Sequence, residues 1–318
     1  LHFQYSLLKN CRKNKGNLGT TLQIPDTQEN IEYFGASKNQ SSTQTALASA
    51  SAIYDVLNDI VIDAIVEPYK KSEREMAKQH INSIKNAKLL NKSIVIFDRG
   101  YPSYDMFNYL DDKGLFFLIR TSSSWKKFRN LDYNDNILDY EFENSSKKLR
   151  VLKIELPDGT IEVLVTNIFN KNINLDLFKE LYFLRWGVEC KYKELKSSIE
   201  IEEFSGTKPI AIEQDFYASI YLSMVASLIK KDADIEIIKE TQGKKSKHEY
   251  QANRKFILSE VFQKIITMLV KSIGVVRLLK KLVENSEKIR SQIRPNRSNE
   301  RNNKHPRKKH HSQRKSCV

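Results

Sequence analysis

The sequence predicts an α/β fold with a β-rich insertion and a helical C-terminal part, on the strength of three stretches. Residues 93–102 (SIVIFDRGYP) form a short apolar, β-branched run that ends on Asp98 and breaks at Gly100 and Pro102, the pattern of a buried strand. Residues 125–167 alternate in short runs (LRVLKIEL, TIEVLVTNI) around Pro157-Asp158-Gly159, as antiparallel strands do. Residues 181–199 (LYFLRWGVECKYKELKSSI) and 211–229 (AIEQDFYASIYLSMVASLI) have helical spacing. With 318 residues, 40% hydrophobic and 10% aromatic, the chain has material for one large or two ordinary domains.

Taken in order, residues 1–17 (LHFQYSLLKNCRKNKGN) lack clean periodicity, turn basic, and are not expected to make a buried strand. The chain begins with Leu1 rather than Met, which suggests a fragment or a displaced reading frame. Residues 45–54 and 59–66 read as two strands joined by a turn at 55–58. Asp55, Asp59 and Asp63 would align on a helix, but the β-branched run DIVIDAIV favours strands, with the acids in the turn and on the solvent face. Residues 68–90 form a polar, Lys-rich helix with Ser72 and Glu75 as a capping box. The Asp98 strand follows, then a helix over 103–110 and a strand over 115–120. Asp98 and Glu189 stand 91 residues apart, more than one strand and one helix require, so residues 125–170 are assigned to an insertion. Trp125, beside Lys126 and Lys127, is either a base-stacking residue or a packed aromatic. Beyond the helix at 211–229, residues 235–251 read as a polar connection and 252–288 as one or two helices. Residues 294–318 have no apolar face and are expected to be disordered without DNA.

The net charge of +14 favours a polyanionic partner. It is unevenly placed: residues 290–318 hold ten Lys or Arg against Glu300 alone. In that tail Arg307, Lys308 and Lys309 read as phosphate contacts without sequence selectivity, the alternative being a solubilising tail. A lipid anchor is disfavoured, because no amphipathic apolar segment accompanies the charge. Cys11, Cys190 and Cys317 are odd in number and far apart, so neither a disulfide framework nor a zinc site is expected. No apolar run approaches a membrane span, and a reducing cytoplasm fits. The six histidines include three in the tail, and His2, His80 and His248 have no partner nearby in sequence.

The stretch at 181–199 carries the chemistry. On a continuous helix at about 100° per residue, Tyr182, Arg185, Glu189 and Lys196 fall within an arc of roughly 60°. An acid flanked by a phenol and two cations suits metal and phosphate together, whereas any two of the four would read as an incidental solvated pair. Asp98, at the carboxyl end of its strand, lies where open α/β sheets usually place their sites.

Y-x2-R-x3-E-x6-K, together with FDRGYPS, resembles the signatures of the IS4-type transposases, a branch of the DDE recombinases. The similarity extends from about Gly19 through IPDTQENIEYFGASKN and ALASASAIYDVLNDIVIDA to the basic tail. It implies an RNase H-like core in two parts (18–124 and 171–230) around the insertion, then C-terminal helices over 231–293 and the tail at 294–318. It also implies a site of two Mg2+ (or Mn2+) ions held by three acids, of which Asp98 and Glu189 are the second and third. The first normally precedes Gly-Thr at the end of an apolar strand; here Leu18 stands before Gly19-Thr20 and offers no oxygen. Residues 1–17 are then unrelated to the family, and half of the central strand is expected to be missing. By the same resemblance Tyr182, Arg185 and Lys196 position phosphates and a flipped base of double-stranded DNA, at transposon terminal repeats and target. Arg99 and Arg120 are further DNA candidates, with surface salt bridging as their alternative. The expected activity is metal-dependent cutting of transposon ends and joining to target DNA, by a homodimer on paired ends, impaired in this copy. The alternatives are a non-catalytic DNA-binding remnant and a metal-dependent nuclease on the same fold.

Overall fold

The computed structural model describes residues 4–8, 20–38, 44–86, 93–143, 145–156, 158–242, 248–270 and 274–294. The chain divides into two compact units, one of Leu1–Gln23 with Ile31–Lys193 and one of Ile24–Asn30 with Glu194–Val318. The elements run β1 (Gln4–Leu8), β2 (Thr20–Gln23), α1 (Gln28–Tyr33), β3 (Ala36–Lys38), β4 (Gln44–Asp55), β5 (Ile60–Pro68) and α2 (Glu73–Asn86). Then come β6 (Ser93–Phe97), α3 (Tyr104–Asp112), β7 (Phe116–Arg120), α4 (Lys126–Arg129), β8 (Asp135–Phe142), β9 (Ser145–Glu155) and β10 (Ile161–Thr166). Next are α5 (Leu175–Phe183), α6 (Trp186–Ser197), α7 (Pro209–Thr241), β11 (Tyr250–Ala252), α8 (Arg254–Val270), α9 (Val275–Lys288) and β12 (Arg290–Gln292).

The first unit is built on one sheet. In its middle the strands lie β5-β4-β1-β6-β7, with β4 antiparallel to both its neighbours and β1, β6 and β7 parallel. That order is the RNase H-like arrangement expected from the sequence. β6 is buried along its whole length, as the near-continuous SIVIF run requires of a central parallel strand. α3 crosses from β6 to β7 with Ser103 as N-cap, its hydroxyl accepting from the Met106 N–H at 3.1 Å. Met106, Phe107 and Leu110 join Val95, Phe97, Phe117 and Ile119 in the core. The β-rich stretch continues this same sheet, since β10 pairs antiparallel with β7 and leads on to β9 and β8. Trp125 is packed, stacked on Phe128 at 5.0 Å and lying 5.3 Å from Tyr104 and 5.7 Å from Phe107.

Several expectations need correction. Gln4–Leu8 does form a strand, in the central lane between β4 and β6, although its sequence shows little periodicity. β1 pairs with Ile53–Asp55 and β2 with residues 47–50, leaving only Ser51 and Ala52 of β4 between the two registers. Leu18, to which the missing acid was assigned, lies outside the described residues. The stretch at 181–199 is two helices, with a turn at Leu184 and Arg185. Bonds of the i+3 kind (Arg185 N–H to Tyr182 O, Gly187 N–H to Leu184 O, Val188 N–H to Arg185 O) tighten the chain there, and Gly187 lowers helix propensity beside the turn. His80, which has no partner nearby in sequence, finds two across the fold: its Nδ1 lies 2.7 Å from Asp63 Oδ2 and its Nε2 3.1 Å from Ser51 Oγ. These come from β5 and β4, so sequence separation hid them. With Ser51 and His80 both buried, the trio clamps α2 to the sheet rather than offering a nucleophile.

The second unit is helical. α7 begins with Pro209 at its first turn, which suits a position with no intrahelical donor duty. It runs on to Thr241, so residues 235–241 of the predicted polar connection are helix; Ile237 is buried and overrides the local polarity. Arg254 at the start of α8 forks onto Glu194 at 2.8 and 2.9 Å and donates to the Ser223 carbonyl at 2.9 Å. β11 and β12 pair as a short antiparallel ribbon that the sequence pattern did not announce.

Candidate functional site

Asp98 immediately follows β6, and its Oδ1 accepts the Arg99 backbone N–H at 2.8 Å, fixing the carboxylate at the strand end. The Tyr182 hydroxyl, from the last turn of α5, donates to the same oxygen at 3.2 Å. Arg185, in the turn, places Nη1 3.0 Å from Glu189 Oε1 and 3.7 Å from Asp98 Oδ2. One guanidinium nitrogen therefore faces both carboxylates, whose oxygens lie no farther apart than those two distances laid end to end. The Arg185 guanidinium also sits over the Tyr182 ring, 5.2 Å from its centroid. The helix break leaves three of the four residues of the predicted stripe together: Tyr182 bonds Asp98, and Arg185 faces both Asp98 and Glu189.

Electrostatics explains the need for the arginine. At an effective dielectric of ~20, two carboxylate charges ~5 Å apart repel by roughly 3 kcal/mol. Burial works against the Arg185 charge, but the Asp98 and Glu189 carboxylates favour it, and its pKa is held above the ordinary value. Burial, and then the Asp98 charge, push the Tyr182 hydroxyl far above the usual tyrosine range, so it stays a neutral donor. The two acids remain partly open, with side-chain exposures of 22% for Asp98 and 23% for Glu189.

The helix bearing Glu189 is anchored by residues that the sequence reading missed. Lys191, buried on α6, pairs with Asp59 at 2.7 Å and lies 5.5 Å from the Tyr54 ring centroid. Gly187 lies against Val56, where a Cβ would stand 3.4 Å from Val56 Cγ1, at ordinary contact distance. No local signal links Lys191 to Asp59; only the folded β4–β5 turn brings them together. Asp55 caps that turn through the Leu57 and Asn58 N–H groups at 3.0 and 3.1 Å, so the three spaced aspartates serve three separate structural ends.

The other predicted residues are placed as follows. Arg120 pairs with Glu162 at 2.8 Å across β7 and β10, the salt-bridge alternative foreseen for it. Arg99 is exposed next to Asp98. Lys196, in the second unit, pairs with Glu202 at 3.0 Å. Arg307, Lys308 and Lys309 lie outside the described residues. Two large aromatics flank the helix break, Phe183 at 74% and Trp186 at 45% exposure. Among the described residues no cluster of three or more His, Cys, Asp or Glu side chains is arranged to hold a metal. No helix among them is long and apolar enough to cross a membrane.

A family model described as "Transposase DDE domain" matches residues 19–225. Among solved structures, the chain is similar to one in the cryo-EM structure of the piggyBac transposase synaptic complex with hairpin DNA. That likeness has 10% sequence identity and a TM-score of 0.45, over 89% of this chain and 57% of that one. The chain thus spans a little over half of that relative's length. No curated protein matches it.

Proposed function

Since the chain belongs to the transposase DDE domain family, we propose that it is a DNA transposase of the IS4 type whose Asp98 and Glu189 bind a divalent cation, Mg2+ or Mn2+. The observation that carries this reading is the sharing of one Arg185 nitrogen by two carboxylates from stretches 91 residues apart. The donor set fits such an ion. Mg2+ is commonly held by one or two carboxylates, with water and substrate phosphate completing its shell. When bound, it would polarise a phosphoryl oxygen and lower the pKa of an attacking water or hydroxyl.

The chain's own residues supply the rest. Tyr182 holds Asp98 by its hydroxyl on Oδ1, while Oδ2 lies 3.7 Å from Arg185 Nη1. Arg185 and the exposed Arg99 offer guanidinium donors for phosphate oxygens. Phe183 and Trp186 offer exposed faces on which bases of a DNA end can stack, each worth ~1–3 kcal/mol. The basic tail adds attraction that depends on salt rather than sequence.

A second reading, a DNA-binding remnant without catalysis, is favoured by Leu18, where the family resemblance places the first acid. A clamp on two metal ions needs more carboxylate than two side chains give. The experiment is a Mg2+-dependent nicking assay on a plasmid carrying the element's terminal repeats. We expect weak cleavage by the natural chain, more by Leu18→Asp, and none by Asp98→Asn or Glu189→Gln. Strong cleavage by the natural chain would contradict impairment; cleavage unaffected by Asp98→Asn would contradict the assigned site.

A further inference from the structure

The Asp98–Glu189 pair already contains a cation. Arg185 reaches both carboxylates through Nη1, and its side chain is only 10% exposed, less than half the exposure of either acid. Its Nε is buried without a hydrogen-bond partner. Arg150, a purely structural arginine, spends all five N–H donors. Arg185 instead keeps an orphaned Nε while its Nη1 faces two acids, and the ion pairs offset the cost of that orphan. The acids keep more than twice the exposure of the arginine, 22% for Asp98 and 23% for Glu189, so solvent reaches both carboxylates.

We propose that Arg185 is the resident counter-ion of the metal site: it holds Asp98 and Glu189 together before a divalent ion binds, and the ion displaces it toward a DNA phosphate. The inference rests on the reading that these two acids bind metal. Ion and guanidinium compete because both seek Asp98 Oδ2 and Glu189 Oε1, the oxygens beside Arg185 Nη1, and their like charges repel. A phosphate that engages Arg185 weakens that competition. DNA and metal then bind cooperatively and, by linkage, reciprocally. The site is thereby biased to load its metal when DNA is present.

The test is Mn2+ binding by calorimetry to the full chain, the Arg185→Ala and Arg185→Lys variants, and Asp98→Asn as site control. Arg185→Ala is expected to bind Mn2+ about 10-fold more tightly than the natural chain, while Asp98→Asn loses the binding. Equal or weaker binding by Arg185→Ala, with Asp98→Asn still deficient, overturns the counter-ion role and leaves the metal site standing. Binding indifferent to Asp98→Asn removes the metal reading itself, and the inference with it. Should Arg185→Ala fail to fold, the natural chain decides. Its Arg185 Nε–H resonance, identified by its loss in Arg185→Lys, should shift during a Mg2+ titration with the midpoint of binding. A resonance that stays still while Mg2+ binds overturns the proposal.

Discussion

Arg150 shows what a single side chain contributes to this fold. Its Nε and Nη2 fork onto Asp135 of β8 at 2.9 and 2.6 Å, and the remaining donors meet the carbonyls of Ile168, Asn170 and Ile173. It also lies 5.1 Å from the Phe178 ring centroid, on the helix that carries Tyr182. Arg150 is buried, so removing it leaves several carbonyls and a carboxylate unmatched. Arg150→Met should cost roughly 3–5 kcal/mol in urea unfolding, and Arg150→Lys less, because it keeps the charge but loses the fork. Loss of under ~1 kcal/mol in Arg150→Met would contradict this hub. Nothing in the sequence distinguishes Arg150 from its neighbours, because its partners come from β8 and from the link between β10 and α5. Asp98 and Glu189 were legible for the opposite reason. Each sits at a local landmark, one at the end of an apolar strand and one on a cation-lined helix.

At the scale of elements, the pattern identified the central strands and the helix after Ser103, where periodicity and caps are local. It failed where tertiary contact overrides local preference. Gln4–Leu8 is a strand because two neighbours supply its hydrogen bonds, and residues 181–199 break at Leu184 and Arg185, where Arg185 faces two acids. Glycines at two turns should respond in opposite ways. At Gly187 a Cβ meets Val56 at ordinary contact distance, so Gly187→Ala should be neutral or add up to ~1 kcal/mol through helix propensity. At Gly206 a Cβ would stand 2.6 Å from the Ala211 Cβ, so Gly206→Ala forces the start of α7 to shift and should cost about 1–3 kcal/mol. Thermal or urea unfolding separates the two; equal effects would mean that the close approach at Gly206 carries no energetic weight.

For the whole molecule, the central fact is convergence. The route from Asp98 to Glu189 passes through α3, β7, the β8–β9–β10 extension of the sheet and α5 before α6 returns to the end of β6. That extension accounts for the long spacing noticed in the sequence, but its continuity with the central sheet depends on β10 pairing with β7 and was not written in any local pattern. The consequence is two acids that share one neighbour and, on this account, one ion. A double-mutant cycle on Mn2+ affinity, with Asp98→Asn, Glu189→Gln and both together, tests this most directly. The account predicts that either single change removes most of the binding and that the second adds little, because both act on one ion. Additive, independent losses, or binding unchanged by either substitution, would contradict it.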